Sequence, residues 1–240
     1  MELPKVIECS NPWENGAAKL INSLIGETIK ERGVCNLMLT GGKTAARIYS
    51  NSRLFKGLVA SKINIFLGDD RCVESTHLDS NFALIADTLA VPNEKDRFVI
   101  NRMVTDGNGY ELMAHEYSKK LPEVVDVLLL SLGLDGHIAS IFPNAFISNE
   151  EKQLVSVVQS PFHPHKRITI SPLVITKARQ TVLLAVGGEK GQVLLRALES
   201  GFDPAVLPVQ LLMNKQSIWI VDSDAAFSLK TLEYMQLNNL

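Results

Sequence analysis

Short apolar runs alternate with amphipathic segments along most of this chain. Residues 37–39, 63–67, 124–130, 181–186 and 217–221 are rich in Val, Ile and Leu, which predicts strands buried on both faces. Residues 97–100 and 154–158 read as further strands, and 167–170 alternates as a strand does. The segment 11–32 has a different period and places Leu20, Leu24, Ile25 and Ile29 on one helical face. Asn11 is expected to cap this helix, with Pro12 in its first turn and Glu14 reaching back as a capping box. Gly33 is a natural stop. Helices are also expected at residues 45–50, around Phe82, Ile85, Ala86 and Leu89, at 110–121, 172–178 and 190–199, and from Asp224 onward. Asp79 or Ser80 is placed to cap the one that carries Phe82. The alternation predicts an α/β protein with a mostly parallel sheet covered on both faces, as one domain over residues 1–240. Residues 144–165, polar and then broken by Pro161 and Pro164, are the expected departure from it.

Composition narrows the class. The hydrophobic share of 46% with 21% charged residues suits a globular core rather than a disordered chain. A formal net charge of −2 supplies no field for nucleic acid, so an anionic ligand needs local cations. Cys9, Cys35 and Cys72 are odd in number, far apart and without a CxxC spacing, which argues against disulfides and a zinc site and for a reducing compartment. The first ten residues lack the basic and apolar regions of a signal peptide, and no apolar run reaches the length of a membrane span. A cytoplasmic protein with no membrane or nucleic-acid partner is the expectation.

Chemistry-bearing residues gather where strands end. Thr40-Gly41-Gly42-Lys43-Thr44 links a strand to a helix; glycines let backbone N–H groups approach a phosphate, although the spacing is not that of a Walker A loop. Taken alone it is equally a tight turn. Gly68-Asp69-Asp70-Arg71 ends the next strand and reads either as an orienting acid pair with an anion-binding Arg or as a solvated loop. In the stretch after Leu130, Asp135 and His137 stand two residues apart, a carboxylate beside the side chain best suited to proton transfer near neutral pH. Its plain alternative is a satisfied structural histidine. His163 and His165 flank Pro164 with no evident third metal ligand. Arg167 and Lys190, each unremarkable alone, could complete a phosphate clamp with the Gly-Gly turn.

In chain order, these residues resemble the 6-phosphogluconolactonases, within a superfamily that also holds glucosamine-6-phosphate deaminases. Thr40-Gly41-Gly42-Lys43-Thr44-Ala45 is similar to the family's S-G-G-S-T-P, Asp69-Asp70-Arg71 to D-E-R, and Asp79-Ser80-Asn81 to D-S-N. Gly133 through Pro143 follows G-x-D-G-H-x-A-S-x-F-P. Ser160-Pro161 with Arg167-Ile168-Thr169, Gly187-Gly188-Glu189-Lys190, and Trp219, Asp222 and Ala225-Ala226 continue the match. The resemblance implies a three-layer α/β/α, modified Rossmann-like fold. It implies hydrolysis of 6-phospho-D-glucono-1,5-lactone to 6-phosphogluconate in the pentose phosphate pathway, without metal or organic cofactor. His137, Asp135, Arg71 and Asp69 would form the reacting centre; Gly41, Gly42, Lys43, Thr44, Arg167 and Lys190 would hold the phosphate.

Three departures stand out: Lys43 for Ser, Asp70 for Glu and Ala45 for Pro. Lys43 and Asp70 are expected to face Asp135 and His137 across one cleft. A deaminase of glucosamine 6-phosphate is the nearest alternative, but Arg71 and Ser140-Ile141-Phe142-Pro143 side with the lactonases. A non-catalytic sugar-phosphate-binding module is the other. A monomer or weak dimer acting on a small phosphosugar lactone is the expectation.

Overall fold

The computed structural model describes residues 2–89, 98–107, 109–145, 153–230, 232 and 237–239. In chain order the strands and α-helices are β1 (Lys5–Glu8), α1 (Trp13–Arg32), β2 (Cys35–Leu39), α2 (Lys43–Tyr49), β3 (Ile63–Leu67), β4 (Asp69–Arg71), α3 (Asn81–Thr88), β5 (Val99–Asn101), α4 (Tyr110–Lys120), β6 (Val127–Ser131), β7 (Val155–Gln159), β8 (Lys166–Ile170), α5 (Pro172–Lys177), β9 (Gln180–Ala185), α6 (Gly188–Glu199), β10 (Ser217–Val221), α7 (Ser223–Leu229) and β11 (Leu237–Asn239).

Eight strands form one sheet in the order β11-β1-β10-β9-β6-β2-β3-β5, and each neighbouring pair is parallel. The expected mostly parallel α/β/α arrangement is therefore present. Val127 through Leu130 of β6, Val182 through Ala185 of β9 and all of β10 are buried, as strands covered on both faces must be. From β2 the chain moves outward to β3 and β5. It then returns to β6 on the other side of β2 and moves outward again through β9 and β10. The reversal leaves a crevice at the carboxyl ends of β2 and β6, where open α/β sheets bind ligands.

A second, antiparallel sheet has the order β4-β8-β7 and packs with α4. It is the expected excursion, but it reaches further than residues 144–165. Asp69-Asp70-Arg71, read as a turn after β3, is its strand β4. Asp69 pairs with Thr169, Asp70 with Ile168 and Arg71 with Arg167. Residues 146–152 of the expected loop, and Arg97 of the expected strand at 97–100, lie outside the described residues.

Most element boundaries agree with the periodicity, and β3 and β10 have the expected ends. The start of α1 differs. Pro12, not Asn11, occupies the N-cap position, with no side-chain cap, and Glu14 pairs with Arg47 of α2 instead of closing a capping box. Gly33 ends α1 in the left-handed region as expected, its N–H donating to Ile29 O. Ser80 is the cap of α3; its hydroxyl accepts from Ala83 N.

Candidate active site

Every strand that feeds the crevice ends in a segment built for exposure of polar groups. After β2 the chain turns at Gly42, with φ of 96°, into α2; after β9 it turns at Gly187, also with φ of 96°, into α6. Both torsions lie where a side chain is strained. The two turns flank the segment after β6, which carries His137. The three converge on a cavity of about 220 Å3.

Nine of the ten residues expected to form the site line this cavity: Gly41, Gly42, Lys43, Thr44, Asp69, Arg71, His137, Arg167 and Lys190. The tenth, Asp135, stands behind His137. Its Oδ1 lies 2.5 Å from His137 Nδ1 and also accepts the His137 backbone N–H at 3.1 Å. Burial works to raise the Asp135 carboxyl, but the hydrogen bond and charge of His137 outweigh it and hold it below the usual range. The imidazole also packs on Phe142, with ring centres 4.8 Å apart, and on Phe162 at 6.0 Å. A carboxylate on one ring nitrogen and aromatic rings at its side fix the orientation of the imidazole.

The opposite wall is cationic. Arg71 and Arg167 are direct neighbours across β4 and β8. Arg167 is only 6% exposed, and its Nε donates to Pro164 O at 2.8 Å, from the loop whose His163–Pro164 bond is cis. Burial, with the charge of Arg71 beside it, lowers the Arg167 pKa. Arg71 Nη1 donates to Asp79 O at 2.6 Å; its Nε is buried and has no protein partner among the described residues. Burial likewise lowers Lys190, against the pull of Asp222. Lys43, the residue in place of the family's Ser, lines the same cavity and is exposed. Four cations therefore face a small volume, an arrangement that favours a multiply charged anion.

Asp70 departs from the expectation. It does not line the cavity but is fully buried beneath α3, accepting from Arg71 N, Asn81 N, Phe82 N and Ser80 Oγ. Burial pushes its carboxyl up to about 6 while the backbone donors hold it down. A carboxylate there serves the start of a helix, and shortening Glu to Asp removes nothing from the cavity wall.

Several members were not singled out as site residues by the sequence. Asn81, Ser131, Leu132, Gly133, Ala139 and Thr40 also line the cavity. Tyr49 and Tyr117 are buried side chains that brace strand ends. Each hydroxyl donates to a carbonyl and accepts an N–H at one strand end, Tyr49 at Thr40 and Tyr117 at Leu67. Burial pushes both phenols up, so they remain neutral bridging groups. Among the described residues, no group of three or more His, Cys, Asp or Glu gathers as a metal site; His163 and His165 stack edge to face instead.

The profile of glucosamine-6-phosphate isomerases/6-phosphogluconolactonase matches residues 12–220. The chain belongs to this family. Over 94% of its length it is 30% identical to a probable 6-phosphogluconolactonase 2 of Arabidopsis thaliana, covering 95% of that protein. The crystal structure of a 6-phosphogluconolactonase from Shewanella baltica superposes with a TM-score of 0.77 at 27% identity, over 92% of this chain and 97% of that one. A monomeric glucosamine-6-phosphate deaminase superposes nearly as well, with a TM-score of 0.74 at 20% identity, over 93% and 99%. The family's fold thus serves both chemistries, and the site must decide between them. No described helix is long and apolar enough to cross a membrane.

Proposed function

We propose that this chain hydrolyses 6-phospho-D-glucono-1,5-lactone to 6-phosphogluconate. The observation that carries the reading is that four cations and the carboxylate-oriented imidazole of His137 line one cavity. Kinship with 6-phosphogluconolactonases of similar length supports it. Arg167, Lys190, Lys43 and the backbone of Gly41 through Thr44 hold the phosphate. Anchoring that remote group fixes the lactone ring, so binding energy is used to orient the carbonyl.

His137 takes a proton from water as the water oxygen bonds to the lactone carbonyl carbon. Asp135 holds the ring and stabilises the imidazolium that forms. The carbonyl electrons move onto oxygen, and the guanidinium of Arg71, which lines the cavity, donates to that oxyanion. Collapse of the intermediate breaks the bond to the ring oxygen, which leaves with the proton returned by His137. The product is the open-chain acid.

The test is 6-phosphogluconate formation from fresh lactone, with ammonia release from glucosamine 6-phosphate measured in parallel. Hydrolysis well above the spontaneous rate with no ammonia is expected; ammonia release, or hydrolysis at the spontaneous rate, overturns the reading. Lys43 supplies a narrower prediction. Lys43→Ser should weaken 6-phosphogluconate binding about three- to fivefold, on the order of 1 kcal/mol for an exposed ion pair. Added salt should shrink the difference between the two proteins. Titration calorimetry at two ionic strengths measures both, and equal affinities would assign Lys43 to solvent.

A further inference from the structure

Asp69 lines the cavity, and both its carboxylate oxygens accept hydrogen bonds from the protein. It is 5% exposed. Its Oδ2 accepts the Ser140 hydroxyl at 2.6 Å, and its Oδ1 accepts Asn81 Nδ2 at 3.2 Å. The same Asn81 nitrogen donates to the Asp69 carbonyl at 2.9 Å. Ser140 belongs to the segment that carries His137, and Asn81 opens α3. Ser140 lies three residues after His137, and its N–H donates to Thr169 Oγ1, on the residue that pairs with Asp69 between β4 and β8. The residue before it, Ala139, is held at φ of 49°, a torsion that a non-glycine residue keeps when its surroundings impose it.

On the other side, Asn81 packs directly on the anion-binding turn. A Cβ added to Gly41 would lie 1.8 Å from Asn81 Oδ1, so the amide rests on the Gly41 backbone. The Ser131 hydroxyl, at the end of β6, donates to Gly41 O from the other direction at 3.4 Å. One buried carboxylate therefore joins two turns that come from different strands of the main sheet, while itself sitting on the second sheet.

We infer that Asp69 is a positioning residue that sets the distance between the anion-binding turn and His137, acting through Asn81 on one side and Ser140 on the other. This rests on the lactonase reading for its kinetic consequence but not for its geometry. The 2.6 Å bond from the Ser140 hydroxyl on one oxygen and the Asn81 amide on the other hold the carboxylate in place between the two arms. Fixed spacing is what the reaction needs, because the phosphate is gripped at one end of the substrate and the carbonyl is attacked at the other.

Three variants separate the two arms. Each is measured for inorganic phosphate affinity by calorimetry, for the His137 imidazole tautomer by nitrogen NMR, and for kcat and KM on the lactone. Ser140→Ala keeps every charge; it should mix the tautomers and lower kcat about tenfold, with phosphate affinity within twofold of wild type. Asn81→Ala should weaken phosphate about tenfold and raise KM, with the tautomer unchanged. Asp69→Asn should do both. If Asp69→Asn stops turnover while phosphate affinity and the tautomer stay as in wild type, Asp69 acts on the reacting atoms and the inference fails. It fails equally if Asp69→Asn alters none of the three readouts. Should Asp69→Asn not fold, the two single-arm variants decide: effects split between the arms support the inference, and parallel losses that track melting temperature overturn it. A wild type that does not hydrolyse the lactone, with the phosphate and tautomer effects intact, removes the lactonase reading and leaves the positioning role standing.

Discussion

His137→Asn is expected to lower kcat for lactone hydrolysis by about 10²- to 10⁴-fold, the range in which a positioned general base contributes. Affinity for 6-phosphogluconate should stay within about twofold, because the groups assigned to the phosphate lie on the turn into α2, on α2, α6 and β8 rather than on this turn. Asparagine preserves a donor for Asp135 Oδ1, so the loss reports the missing base more than a collapsed turn. The spontaneous opening of the lactone sets the floor and must be subtracted. The pH profile adds a second readout. Asp135 is held below the ordinary carboxylate range, so it is ionised at every pH where the enzyme is assayed and its charge is lost only in stronger acid. An acid limb in kcat/KM near neutrality is therefore not that of Asp135. It should persist in Asp135→Asn, whose oxygen can still accept from the ring and whose kcat loss should be smaller. Full activity in His137→Asn would assign the base elsewhere.

The parts of this architecture that could be read in the chain are those whose cause is local. Runs such as Val127 through Leu130 announce a strand buried on both faces, and Gly41-Gly42 and Gly187-Gly188 announce the turns that follow β2 and β9. Because sites of this class form where such turns meet, nine of the fifteen lining residues could be named from motifs at strand ends. What escaped has a long-range cause. β4 is Asp-Asp-Arg, a polar triplet that looks like a solvated turn. It is buried because β8 pairs with it and because α3 satisfies Asp70 from twelve residues away or fewer. β1, four residues with charges at both ends, gains its stability from β10, more than two hundred positions later. Tyr49 and Tyr117 sit in helices with no local sign that their hydroxyls bridge strand ends. Asp70 shows the same limit in a single residue: its place in a family motif suggested the cavity, while its hydrogen bonds place it under a helix. Adjacency in sequence gave Asp69 and Asp70 opposite faces of one short strand, and so opposite duties.

Gly133→Ala is expected to abolish most activity while leaving the fold in place. Gly133 forms the neck of the turn that carries His137. Its N–H donates to His137 O at 2.9 Å, and its carbonyl accepts from Gly136 N at 3.1 Å. Its backbone is not in the left-handed region, so alanine brings no torsional penalty there. The cost is one of space. A Cβ would lie 2.0 Å from His137 Nδ1, 2.2 Å from its Cε1 and 2.7 Å from Asp135 Oδ1, on top of the hydrogen bond that orients the imidazole. Two relaxations are open. The imidazole can rotate away and lose Asp135, or the neck can widen and give up its two backbone bonds. Either moves the base by about 1 Å, enough to cost on the order of 10²-fold in kcat. Overpacking of this kind costs about 1–3 kcal/mol of stability, which a folded domain survives. Gly201→Ala is the control: a Cβ there meets nothing within 4 Å, so both melting temperature and kcat should match wild type. Circular dichroism melts, phosphate calorimetry and steady-state kinetics on the three proteins distinguish the outcomes. A Gly133→Ala protein with intact phosphate affinity and lost turnover places the damage at the base. One with unchanged kcat would show that the imidazole needs neither its present rotamer nor its bond to Asp135, and the assignment of His137 as the oriented base would not survive that result.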